Sequence, residues 1–433
     1  MKKKFFLALL CCVLCFAMIL PALAAPEKPI VSVGGGIVAN LDTGDILWGE
    51  NADKQLYPAS LTKIMTALLV IEHGGLEDVI TLQESTFDDL SDAGSTAGLK
   101  PGEQVSVRQL LYCLLIPSSN EAANALAQHV SGDTAAFIQL MNERAAQLGC
   151  QNTHFANTTG LHDEQHYTSA HDMLIITREA LKHPLFAQIT ASKEFTLPPT
   201  NLHDKERKFL TTNYLLSRAR YPDYIYAPAT GVKTGHTTPA GYCLVATASK
   251  NNVNLISVVL NAKDETGKIG SFTQTTVLLN HIFDNYKPLL LTQQGNPVHT
   301  LPLKLASDID SLTLVAKEDL APLLPTDTAQ ENIKITLDLP DFLRAPIEKG
   351  EVIGTATYTV DRQDYGPIEL ISPTAVKRNF ILYCLDGIAR FFSNIIVLSI
   401  FGCLLLAIAT YVAITITTNK KKRYSGGRRR RSY

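Results

Sequence analysis

Tyr57-Pro58-Ala59-Ser60-Leu61-Thr62-Lys63-Ile64-Met65-Thr66-Ala67-Leu68-Leu69 is the stretch from which the rest of the chain can be read. Leu61, Ile64, Met65, Leu68 and Leu69 recur at the spacing of a buried helix that starts just after Pro58. Ser60 then stands at a helix N-terminus, where the first backbone N–H groups have no intrahelical acceptor and the positive dipole end faces any developing oxyanion. Lys63, three residues on, falls on the same face and reaches the Ser60 hydroxyl. A serine becomes a good nucleophile only when a base takes its proton, and lysine serves only when neutral. Alone, the four residues Ser60 to Lys63 are better read as a capping serine beside a solvated lysine.

Two further words supply the context. Ser106 and Gln109 form a capping-box start for a helix through Ile116, Pro117 stops it, and Ala122 begins another. Ser118-Ser119-Asn120 therefore sits at a junction between buried helices, with Ser118 available to relay a proton and Asn120 to hold either a substrate amide or Lys63. Lys233-Thr234-Gly235 opens a strand, Lys233 to Thr237, followed by a turn and two apolar strands, Tyr242–Ala248 and Leu255–Leu260. A second cation at Lys233 lowers the pKa of Lys63 and attracts an anionic substrate group. Thr234 adds a hydroxyl donor, and Gly235 leaves room for an acyl group against the strand edge. Gly36–Asn40 and Asp45–Trp48, around the turn Leu41-Asp42-Thr43-Gly44, are expected to form a hairpin.

The ends of the chain fix its setting. Lys2, Lys3 and Lys4 precede an apolar run from Phe5 to Leu20 and then Ala22-Leu23-Ala24-Ala25, the layout of a secretory leader cleaved after Ala24. Ile395 to Thr418 carries no charge and exceeds the roughly 20 residues that cross a hydrocarbon core. Lys420, Lys421, Lys422, Arg423 and Arg428 to Arg431 follow, and a cationic flank stays cytoplasmic, so the bulk of the chain faces outward. The whole chain has 39 Lys and Arg against 41 Asp and Glu. Setting aside the three lysines of the leader and the eight cations of the tail leaves the exposed portion with a net charge near −13, which excludes a polyphosphate-binding surface and with it nucleic acid as a partner. Of eight cysteines, Cys113 and Cys243 sit in apolar runs and read as buried thiols, with no disulfide framework at these spacings.

About 370 residues between leader and span exceed what one core usually serves. Mixed helix and strand patterns run to Tyr286. After Lys287 come the short strands Val298–Leu303, Leu312–Val315, Ile333–Leu337, Val352–Tyr358 and Ile368–Ile371. The expected organisation is a leader (1–24), an α/β (α+β) catalytic domain with an antiparallel sheet flanked by helices (25–286), a small all-β domain (287–374), a juxtamembrane amphipathic segment (375–393), a transmembrane helix (394–418) and a basic cytoplasmic tail (419–433).

Serine–lysine, S-x-N and K-T-G words in this order are the signature of penicillin-binding proteins and class A β-lactamases. Within that group the chain resembles the exported D-alanyl-D-alanine carboxypeptidases, the low-molecular-mass penicillin-binding proteins of peptidase family S11. Tyr57 to Thr66, Asn152-Thr153-His154-Phe155 with Gly160-Leu161, Gly231 to Thr237, and Ala345-Pro346-Ile347-Glu348-Lys349-Gly350 look like family segments. The resemblance implies a serine transpeptidase/β-lactamase-like fold and removal of the terminal D-Ala from the peptidoglycan stem peptide. Ser60 would be the nucleophile, the N–H groups of Ser60 and His236 the oxyanion hole, and Lys233, Thr234, Gly235, His236 and Thr237 the substrate contacts. It also implies β-lactams as covalent inhibitors and no metal or other cofactor. Two positions depart from the family pattern: Ser119 and Glu121 replace Gly and Asp around Asn120, and Thr212 stands where some relatives carry Arg. An E-x-x-L-N segment, which a class A β-lactamase uses to activate its deacylating water, is absent. His162-Asp163-Glu164-Gln165-His166 lacks the Glu directly after the first His that a zincin needs and reads as a polar loop. A DD-endopeptidase acting on cross-links would share every motif, and a non-catalytic wall or sporulation scaffold is the alternative from another class.

Overall fold

The computed structural model describes residues 28–426 apart from 89, 91–93 and 361. The expected leader and the end of the tail, 427–433, lie outside the described residues. The chain divides into two compact units, one of residues 1–287 with 323–328 and one of 288–322 with 329–433.

In chain order the first unit contains β1 (Gly35–Asn40), β2 (Ile46–Glu50), a 3-10 turn (Ala59–Thr62) and the helix Lys63–His73. β3 (Val79–Thr81), β4 (Gln104–Ser106) and the helices Val107–Leu115, Asn120–Ser131, Thr134–Gln147, Ala170–Leu181 and Pro184–Ala191 follow. β5 (Glu194–Leu197), β6 (Arg207–Leu210), β7 (Ala229–Thr237), β8 (Gly241–Lys250), β9 (Val253–Ala262) and the helix Gly270–Asn285 complete it. Five strands make one antiparallel sheet in the order β2-β1-β9-β8-β7.

Antiparallel sheets commonly leave one face wet, and their strands then alternate apolar and polar residues. Here both faces are covered. Ile256, Val258 and Leu260 of β9 join the cluster that contains the Lys63–His73 helix, while Leu255 and Val259 pack with Leu278, Leu279 and Ile282 of the Gly270–Asn285 helix. That two-sided burial explains the unbroken apolar runs read as strands in the sequence. The helix Lys63–His73 is buried from Lys63 to Val70 and packs against the helices Asn120–Ser131 and Ala170–Leu181.

The second unit carries a six-stranded sheet of Pro297–Lys304, Ser311–Ala316, Ile333–Asp338, Leu343–Arg344, Val352–Val360 and Gln363–Ile371. Every short strand expected after Lys287 is present, and Leu301, Leu303, Leu312, Leu314, Tyr358 and Leu370 form its core. The helix Phe380–Ser393 leaves Phe380, Ile381, Leu385 and Phe391 exposed. Its Asp386 pairs with Arg344 at 2.9 Å and with Arg390 at 2.6 Å. The 26-residue apolar segment Ile395–Lys420 lies within one helix, Ile395–Gly426; at about 1.5 Å per residue it exceeds the ~30 Å of a bilayer core.

The capping box read from Ser106 and Gln109 is formed: Gln109 N donates to Ser106 Oγ at 3.2 Å and Ser106 N to Gln109 Oε1 at 3.0 Å. Ser106→Ala removes the first bond, and a loss of about 1 kcal/mol is expected, read as a lower denaturation midpoint; an unchanged midpoint would mean that packing alone holds this helix end.

Candidate active site

Ser60 lies in the 3-10 turn Ala59–Thr62, and the α-helix proper begins at Lys63. The sequence reading placed Ser60 at the helix terminus, and the tighter turn ahead of it is the difference. Ala59 takes a left-handed φ of 49°, a conformation that non-glycine residues occupy at some cost. Two glycines hold this turn by what they lack. A Cβ on Gly160, itself at φ +86°, would lie 1.9 Å from the Ala59 carbonyl oxygen. A Cβ on Gly235 would lie 2.9 Å from the Pro58 oxygen and 3.1 Å from Ser60 N. Gly235 therefore admits the backbone at Pro58 and Ser60, a need additional to the space for an acyl group inferred from sequence.

Lys63 is fully buried. Its Nζ is 3.1 Å from Ser60 Oγ, 2.8 Å from Asn120 Oδ1 and 2.6 Å from the Thr159 carbonyl oxygen. Asn120 is the first residue of its helix, two residues earlier than the sequence suggested, because Ser119 caps it by accepting from Ala122 N at 3.1 Å. Ser118 has φ +69°, and its buried Oγ has no hydrogen-bond partner. Lys233 is buried beneath the strand edge, its Nζ donating to the Thr234 carbonyl at 2.8 Å. Burial depresses both lysines, Lys233 to about 7. Lys63 is held well below the usual lysine range by burial and then by the charge of Lys233, with Glu121 opposing.

A cleft of about 350 Å³ opens over this group, lined by Ser60, Ser118, Thr234, Gly235 and His236 together with Ser95, Thr212, Tyr214 and Phe272. Cys243 is at its floor; like Cys113 it is a buried free thiol, as the sequence suggested. Burial pushes the Cys243 thiol up to about 12 and the Cys113 thiol higher still, while Cys150 also reaches about 12. Thr234 Oγ1 donates to Thr212 Oγ1 at 2.7 Å. Thr237, at the end of β7, accepts from Ala240 N at 3.2 Å and does not line the cleft.

Sequence reasoning missed several contributors. The Thr159 carbonyl is a backbone atom and leaves no residue-type signal. The polar loop expected at His162–Gln165 is present and exposed, but His166 at its end is buried: its Nδ1 accepts from Ala156 N at 3.0 Å, which leaves Nε2–H to meet Thr62 Oγ1 at 2.7 Å. Thr62 in turn donates to Ala59 O at 2.9 Å, tying His166 to the turn that carries Ser60. Desolvation holds the imidazole near 4, so it is neutral at physiological pH. Among the described residues no group of three His, Cys, Asp or Glu side chains is placed to hold a metal.

A family model described as D-alanyl-D-alanine carboxypeptidase, peptidase S11, matches residues 23–264, and one described as the penicillin-binding protein 5 C-terminal domain matches 286–378. D-alanyl-D-alanine carboxypeptidase DacF of Bacillus subtilis is 33% identical over 345 residues, covering 79% of this chain and 84% of that protein. DacC of Escherichia coli is 32% identical over 346 residues, covering 77% and 82%. The crystal structure of penicillin binding protein 5 from Haemophilus influenzae superposes with a TM-score of 0.65 at 31% identity, over 81% of this chain and 99% of that one.

Gly160→Ala drives a Cβ into the Ala59 carbonyl and displaces the turn that carries Ser60. Labelling of Ser60 by a fluorescent β-lactam is expected to slow by about tenfold or more; a wild-type rate would show that the turn tolerates the shift.

Proposed function

The chain belongs to the peptidase S11 family of D-alanyl-D-alanine carboxypeptidases, and from that membership we propose how its own residues remove the terminal D-Ala of a peptidoglycan stem peptide through an acyl-enzyme on Ser60. The observation that carries the reading is the set of three partners around Lys63 Nζ. A neutral amine has two N–H donors and one lone pair. Asn120 Oδ1 and the Thr159 carbonyl can only accept, so they take the two donors, and the lone pair is left for the Ser60 hydroxyl proton. Lys63 is thus oriented as a general base by its neighbours.

Ser60 Oγ attacks the carbonyl between the two D-Ala residues as Lys63 takes its proton. The oxyanion is received by the N–H groups of Ser60 and His236. Ser118, whose Oγ lines the cleft without a partner, passes the proton to the leaving amine as the C–N bond breaks and D-Ala departs. Water then attacks the acyl ester with Lys63 again accepting the proton, and Ser60 is regenerated. β7 is an edge strand of its sheet, so Thr234 to Thr237 offer backbone groups along which an extended stem peptide can lie. The terminal carboxylate is met by the charge of Lys233 and the hydroxyls of Thr234 and Thr212, and the Thr237 expected from sequence to share in this is turned to Ala240 N. β-Lactams, which imitate the acyl-D-Ala-D-Ala group, acylate the same serine.

The catalytic part is assigned to 25–286 and the β-rich part to 287–374. A 375–393 segment on the outer membrane surface, a single span at 394–418 and a cytoplasmic tail at 419–433 complete the assignment. The apolar helix Ile395–Lys420 and the cations after it support that orientation.

Intact mass after benzylpenicillin, with D-Ala release from a diacyl-Lys-D-Ala-D-Ala peptide, tests the reaction. A stable adduct absent from Ser60→Ala, together with release, is the expected result. An adduct without release would point to cross-link cleavage, and no adduct on folded protein would remove Ser60 from its role. Lys233→Met tests the electrostatics. Loss of that charge lets the Lys63 pKa rise, and because only neutral Lys63 acts, the acid limb of the acylation profile is expected to move to higher pH; a limb that stays in place or moves down contradicts the coupling.

A further inference from the structure

Glu121, the residue after Asn120, is buried at 3% exposure and has no ion-pair partner among the described residues. A carboxylate is costly to bury unless hydrogen bonds satisfy it. Among the described residues its hydrogen bonds converge on one oxygen and come from a single short strap: Oε1 accepts from Thr96 Oγ1 at 2.6 Å, Ala97 N at 2.7 Å and Leu99 N at 3.4 Å. Beside it, Asn120 N donates to the Ser95 carbonyl at 2.9 Å. The strap is held from its other side as well. Arg207 Nη1 donates to the Gly98 carbonyl at 2.9 Å, and the same guanidinium binds the buried Glu103, which also accepts from Lys100 N at 3.0 Å. Ser95, the first residue of the strap, lines the cleft.

We infer that Glu121 is a positioning residue for the acyl-transfer site: it clamps the Ser95–Leu99 strap onto the head of the Asn120–Ser131 helix, so that Ser95 and Asn120 move as one wall of the cleft. The inference rests on the reading of the site given above. Asn120 Oδ1 takes one of the two N–H groups that orient Lys63. With the Ser95 carbonyl loosened, Asn120 loses the bond to its own backbone N–H, and the Lys63 lone pair loses its aim at Ser60. Glu in place of the Asp usual in the family adds one methylene between backbone and carboxylate. That extra reach suits an oxygen serving donors on Thr96, Ala97 and Leu99 of the strap.

The use of one oxygen makes the idea testable without disturbing the size of the side chain. Glu121→Gln keeps an acceptor at Oε1, Glu121→Asp shortens the arm, and Glu121→Ala removes it. The full-length protein in detergent is assayed with benzylpenicillin for the rate of Ser60 acylation. Hydrogen exchange of a peptide spanning 94–103 is compared with that of one spanning the Val107–Leu115 helix. In Glu121→Ala the strap is expected to exchange faster while the helix is unchanged, and acylation to fall about tenfold or more. Glu121→Asp should lie between, and Glu121→Gln should restore most of the rate, to within about threefold. Acylation at the wild-type rate in Glu121→Ala with a freed strap overturns the positioning role, as does a strap that stays protected. Equal slowing in Glu121→Gln and Glu121→Ala also overturns it, since charge and not the clamp would then be responsible. Failure of the wild type itself to be acylated at Ser60 is a separate result, which removes the functional reading and leaves the exchange comparison to judge the clamp.

Discussion

A lysine amine buried without a carboxylate partner is the constraint around which the first unit is organised. Desolvating an ammonium is expensive, and the group responds by giving up its proton when hydrogen bonds can satisfy the neutral form. Lys63 meets that condition only because three separate segments arrive together: the turn with Ser60, the head of the helix with Asn120, and the backbone at Thr159. The five-stranded sheet brings Lys233 up as a second, like charge. Glu121 acts against that depression from behind Asn120. The site is thus balanced between burial and a repelling cation on one side and a single buried carboxylate on the other.

The same segments are locked by close backbone approaches. Gly160 sits on Ala59, Gly235 sits on Pro58 and Ser60, and His166 reaches the turn through Thr62. None of these contacts involves a charged group, so their geometry is insensitive to salt and, while His166 stays neutral, to pH. Charge sets the proton affinity of Lys63, and uncharged packing sets where Ser60 points.

Much of this was legible in the sequence, and the reasons are specific. Ser60, Lys63, Asn120 and Lys233 carry chemistry in their side chains and recur at recognisable spacings. The helix before Pro117 announced itself through Ser106 and Gln109, and the strands β8 and β9 through their apolar runs. What stayed hidden was of another kind. A carbonyl such as that of Thr159 has no letter of its own. Ser95 is one serine among many until the fold brings it to the same cleft as Ser118, and Glu121 stands out in the sequence only as a replacement of the family's Asp until its three donors are seen. His166 looked polar because its neighbours in sequence are polar, whereas its neighbours in space are Phe155 and Thr62. Gly235 was noticed for the space it leaves in the cleft, while its close approach to Pro58 and Ser60 was not.

The burial of the thiols has a practical side. Alkylating dyes and maleimides react with thiolates, and a thiol held near 12 presents almost none at neutral pH. Cys113, Cys150 and Cys243 are in that condition, whereas Cys384 is exposed on the helix Phe380–Ser393, ahead of the apolar helix that holds Cys403. Among the described residues outside the apolar helix, Cys384 is therefore the one exposed attachment point. A spectroscopic tag or an immobilising surface can be coupled to the anchor end of the unaltered chain, leaving the cleft free to be watched at work.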